Sequence, residues 1–123
     1  MTTDGSARII AFGAVSHDLV HLLARIRRLL DARMRDPGQP LLTEMEHTLT
    51  DGYARALALE SEVLRIEKRM GDLAHEVEQP DEAEQLRGLS ASLRETRGDL
   101  ELLRGLLSDL HRQIDAARAA PAP

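Results

Sequence analysis

Apolar residues recur along this chain at alternating spacings of three and four. One series runs Leu42, Met45, Leu49, Gly52, Ala56, Leu59, Val63, Ile66, Met70, Leu73 and Val77, and only Gly52 departs from the apolar pattern. A second runs Leu86, Leu89, Leu93, Thr96, Leu100, Leu103, Leu107, Leu110, Ile114 and Ala117, with Thr96 the one polar member. A shorter series near the N-terminus takes in Phe12, Val15, Leu19, Leu22, Ile26 and Leu29 and then reaches Arg33. Sustained heptads of this kind predict helices that pack along a coiled-coil seam, knobs into holes.

Two breaks divide these series. Asp36-Pro37-Gly38-Gln39-Pro40 holds two prolines and a glycine, which end one helix and prevent its continuation. Gln79-Pro80-Asp81 is the second break. Each is followed by capping-box spacing, Thr43 with Glu46 and Asp81 with Glu84. The pattern therefore predicts helices over about 7–35, 44–78 and 82–118, forming a single helical domain over 7–118. Residues 1–6 and 119–123 are expected to be flexible ends. The short break at Pro80 makes the second and third helices an antiparallel hairpin of roughly 50 Å, at 1.5 Å per residue.

The apolar stripes are wider than a two-stranded coil can bury. The first helix adds Val20, Leu23, Leu30 and Met34 beside its heptad row, the second adds Leu57 and Leu64, and the third adds Leu102 and Leu106. That breadth implies a third layer. The expected fold is all-α: a long antiparallel coiled-coil hairpin of helices 2 and 3, with a shorter N-terminal helix packed on it. It would be either a three-helix bundle or a dimeric helical bundle.

Composition narrows the chemistry. The 123 residues include two aromatics, Phe12 and Tyr53, no Trp and no Cys. Sheet folds need more β-branched and aromatic residues than this. Without Cys, thiol catalysis, disulfides and thiolate metal sites are excluded, and an intracellular, cytoplasmic location is expected. The polar start, Met1 to Ser6, has no signal-peptide pattern, and no apolar run is long enough to span a bilayer. Net charge is −5, which argues against nucleic acid as a partner. The charge is uneven: residues 1–40 carry +2, 41–80 carry −5 and 81–123 carry −2. Lys68 is the single lysine among sixteen basic residues. Such Arg and Ala usage fits a GC-rich bacterial genome.

Four groups of residues could carry a function. His17 and His21 stand four apart on one helix face, the spacing of two metal ligands, but both fall on the outer, polar face without a third donor. They read as solvated histidines, and no metal or cofactor is expected. His47, His75 and His111 also lie off the seam.

The stretch Phe12-Gly13-Ala14-Val15-Ser16-His17-Asp18-Leu19, with Leu23 and Ile26 on the following turns, is similar to the phosphoacceptor box of histidine-kinase dimerisation domains. Arg65-Ile66-Glu67-Lys68-Arg69-Met70-Gly71-Asp72-Leu73 resembles the second helix of such domains. The resemblance implies a phosphotransfer role in which His17 is the phosphoacceptor and Asp18 orients it. Val20-His21-Leu22 stands where the family has Arg-Thr-Pro, and no Gly-rich nucleotide box follows.

Arg25, Arg27 and Arg28, with Arg33 and Arg35, crowd the end of the first helix. They could bind an anion, or pair with Glu44, Glu46 and Asp51 across the loop. Finally, Ala91, Gly98 and Gly105 recur every seven residues on the face of the third helix away from the seam, beside Leu102 and Leu106. A small-residue groove of this kind lets another helix approach closely and is the candidate partner-binding face.

No nucleophile–base pair or phosphate loop stands out. The expected function is a non-enzymatic cytoplasmic interaction module, a small regulator or adaptor acting through coiled-coil faces. Its partner would be another protein or a second copy, not a membrane or small molecule. The alternative is a stand-alone histidine phosphotransfer domain using His17.

Overall fold

The structure, a computed structural model, describes residues 3–38, 41–76 and 80–119, and the side chains among them from residue 18 onward apart from those of 76 and 80. These residues form three helices: α1 (Thr3–Arg35), α2 (Leu42–Glu76) and α3 (Pro80–Ala119). The chain is all-α, and α2 and α3 pack on each other most extensively, as the heptads predict.

The helix ends follow local chemistry. The Asp36 amide closes the last turn of α1 on the Ala32 carbonyl at 3.0 Å. The Arg33 guanidinium donates to the Pro37 carbonyl, and the Gly38 amide donates to Asp36 Oδ1 at 3.2 Å. These bonds satisfy groups that a helix C-terminus and a following turn leave open. At the start of α2 the Met45 amide donates to the Leu41 carbonyl at 2.9 Å. The helix thus begins at Leu42, just beyond Pro40, and Thr43 lies inside its first turn instead of capping it. Pro80 is the first residue of α3, where its missing amide and fixed φ cost nothing, and Asp81 falls in the first turn, not at the cap. Thr3 is the first residue of α1.

The described residues pack as two compact units. A three-helix unit takes in α1, the part of α2 up to Gly52 and the part of α3 from Leu106. Its core holds Leu19, Leu22, Leu23, Ile26 and Leu29 of α1, Met45 and Thr48 of α2, and Leu107, Leu110 and Ile114 of α3. Gly52 belongs to this seam because the Leu107 side chain occupies the space that a Cβ would need. Arg25 of α1 pairs with Asp51 of α2 at 2.9 Å, and Arg118 of α3 pairs with Glu46 at 2.7 Å.

A two-helix unit holds residues 53–105. Its core is the seam alone: Ala56, Leu59, Ile66 and Leu73 of α2 against Leu93, Thr96, Leu100 and Leu103 of α3. Glu67 pairs with Arg97 at 2.9 Å, and Glu60 pairs with Arg104. One heptad down α2 matches one heptad up α3, so the two strands of this hairpin are antiparallel. Within the three-helix unit, the Glu46–Arg118 pair obeys the same antiparallel register.

Candidate partner-binding surface of the hairpin

If the seam residues are labelled a and d, the pairing glutamates of α2 and the pairing arginines of α3 all fall at e, directly beside the seam. Interhelical ion pairs at such positions set register and orientation. The groups are exposed, so each pair contributes at most about 1 kcal/mol.

In the two-helix unit, large apolar side chains remain outside the seam. Leu57 is 63% exposed, Leu64 66% and Leu102 43%. Leu57 and Leu64 are one heptad apart on the side of α2 that carries Glu60. Beside them lies an open groove of about 630 Å³, lined by Val63 and Leu64 of α2 and Leu100 of α3, with Glu60, Arg97, Glu101 and Arg104 around it. Leu102 stands on the opposite side of the hairpin. On that side Asp99 is half-buried, and burial, with the charge of Glu95 one turn earlier, raises its carboxyl above the ordinary aspartate value.

The face formed by Ala91, Gly98 and Gly105 is exposed throughout. A Cβ at Gly98 or Gly105 would meet nothing within 4 Å among the described residues. Of the two leucines beside it, Leu102 is exposed and Leu106 half-buried. The second apolar row of α1 is also only partly covered: Leu23 is buried and Leu30 half-buried, whereas Val20 and Met34 are exposed. The cause is angular. Leu23 and Leu30 sit next to the seam on the helix circumference, while Val20 and Met34 lie about 100° from it.

The other sequence candidates are not gathered into a site. The arginines of the anion patch fan out around α1, since successive residues turn by about 100°. Arg25 is turned onto α2 by Asp51, and Arg27 and Arg28 are exposed. The His17 side chain lies outside the described residues; Asp18 and His21 are exposed on α1. Among the described residues no group of three His, Asp or Glu side chains could hold a metal ion. No described helix is long and apolar enough to cross a membrane.

Sequence reasoning missed one fully buried position. Thr48 is enclosed, and its Oγ1 makes no hydrogen bond. It lies beside the α2 seam on the side that α1 covers, and its heptad position was the available signal.

The chain matches no protein-family model, no curated protein and no solved structure.

Proposed function

We propose that the chain is a non-enzymatic interaction module, a small cytoplasmic regulator or adaptor that engages a protein partner, or a second copy, through the faces of its helical hairpin. The observation that carries this reading is the exposure of Leu57, Leu64 and Leu102 in the unit that has only two helices. Single exposed leucines are ordinary, but a groove with an apolar floor and a leucine rim offers what an amphipathic helix buries. The ion pairs that cross the seam support the same reading, because they hold the hairpin in one register while its sides stay open.

Site-specific photo-crosslinking in the native cells tests it. A crosslinking side chain at Leu57, Leu64 or Leu102 should give a discrete protein adduct that weakens when a neighbouring exposed leucine is changed to serine. The same group at Arg27, on the outer face of α1, should give none. Absence of adducts at all three hairpin positions would contradict the proposal. So would an acid-labile, alkali-stable phosphoryl label that disappears in His17→Gln, which would favour the phosphotransfer reading.

A further inference from the structure

We infer that α1 is a releasable cover on the α2–α3 hairpin, and that the buried Thr48 hydroxyl keeps it releasable. Thr48 is wholly enclosed, and its Oγ1 makes no hydrogen bond. It lies toward α1: Asp51, three residues on along the same face of α2, is the residue that Arg25 of α1 pairs with. A threonine inside a helix has an acceptor one turn back, and Thr50 uses it, donating to the Glu46 carbonyl at 3.1 Å. Thr48 does not, so its hydroxyl loses water when α1 closes and finds no partner in exchange. That cost falls on the closed state, because water satisfies the hydroxyl as soon as α1 moves away.

The hairpin can stay zipped when α1 leaves. Residues 53–105 form a compact unit whose core is the α2–α3 seam. The same heptads, with the same kind of ion pair beside them, continue into the three-helix unit, where Glu46 pairs with Arg118. Between Arg35 and Leu42 six residues join α1 to α2, and extended they reach roughly 20 Å, so α1 can leave without unfolding α2. Leu19, Leu22, Leu23, Ile26 and Leu29 hold it closed. Release bares this row together with the flank of the hairpin around Thr48. That surface is distinct from the exposed leucines of the two-helix unit, so the inference does not rest on what binds there.

Native-state hydrogen exchange of the full chain in low denaturant tests this. Amides of 22–33 in α1 should exchange through an easier opening than those of 45–51 and 107–114, which need α1 to leave and the seam to open as well. Thr48→Val keeps the side-chain shape and removes the unpartnered hydroxyl. It should slow the α1 amides about tenfold and leave those of 57–70 and 89–100, in the two-helix unit, unchanged. Thr50→Val, at the exposed threonine bonded to Glu46, should leave the α1 amides at their original rate. Two results overturn the proposal. One is α1 exchanging with the same protection and denaturant dependence as 45–51 and 107–114, which would make the three helices one cooperative block. The other is a Thr48→Val chain whose α1 amides are not slowed, which would mean that the hydroxyl does not favour release. Neither result bears on crosslinking at Leu57, Leu64 and Leu102, so the interaction reading is tested separately.

Discussion

In the three-helix unit Ile26, Met45, Leu110 and Ile114 lose essentially all contact with water. In the two-helix unit Leu59, Ile66, Leu93 and Leu100 keep a few per cent, and Val63, Met70, Leu86 and Leu89 stay half-buried. The ranges overlap: Leu103 is fully enclosed although it belongs to the two-helix unit, and Leu42 and Leu49 are half-buried although they belong to the three-helix unit. Both units are built on the same alternation of three and four, so the seam pattern does not cause the difference. The third helix does. A pair of helices covers only the a and d positions and leaves the flanks open, whereas α1 covers one flank and encloses even Thr48. One unit is thereby a stable core, and the other keeps apolar surface available.

The largest effect should come from cutting the two cores. Leu110→Ala, at a fully buried site, should destabilise the chain by about 2–5 kcal/mol, the range for a buried leucine that leaves a cavity. Met70→Ala, at a half-buried site with water already near, should cost about 1–2 kcal/mol. Urea unfolding of both variants checks the order; equal losses would mean that the third helix adds no depth.

Two glycine substitutions sharpen the comparison and should differ in sign. A Cβ at Gly52 would collide with Leu107 Cδ2 and press on its Cγ at 3.3 Å and Cδ1 at 3.4 Å. Leu107 is itself buried, so its methyl cannot simply swing into solvent. Overpacking costs about 1–3 kcal/mol, while the helix gains about 1 kcal/mol from Ala, so Gly52→Ala should be net destabilising by about 1 kcal/mol. Gly105→Ala meets nothing and should stabilise by up to about 1 kcal/mol. Thermal melts of the two variants, displaced in opposite directions, are the expected result.

The smallest effect concerns pH in the two-helix unit. Burial, then the charge of Glu95, raises the Asp99 carboxyl in the folded state. Its contribution to stability is therefore fully present below the ordinary aspartate value and is lost as pH rises through the raised folded value. Asp99→Asn should leave stability unchanged in acid and increase it slightly at neutral pH. Unfolding curves at the two pH values check this, and a variant less stable at neutral pH would contradict it.

Much of this architecture is written in the residues. The seam positions of α2 and α3 could be read one by one, because a period of 3.5 leaves little freedom in which side chains face inward. The turn at Pro80 was legible for the same local reason. The side of the hairpin that α1 covers was not legible. Leu57, Leu64 and Leu102 have the same apolar character as Leu23, yet three stay exposed and one is buried. Position around the helix and the course of a distant segment decide that, and spacing alone carries neither. The candidate face of Ala91, Gly98 and Gly105 was recognisable as a stripe, but only its surroundings reveal that no described residue stands against Gly98 or Gly105. The groove depends on the α2–α3 register, which the Glu60–Arg104 and Glu67–Arg97 pairs make explicit.

Amide hydrogen exchange of the free chain, followed residue by residue, addresses the central contrast most directly. Exchange protection reports the free energy of local opening, which rises with buried contacts. Amides of 45–51 and 107–114, in the three-helix unit, should exchange markedly more slowly than those of 57–70 and 89–100 in the two-helix unit. Equal protection in the two units, or greater protection of the two-helix unit, would contradict the division into a closed core and an open hairpin.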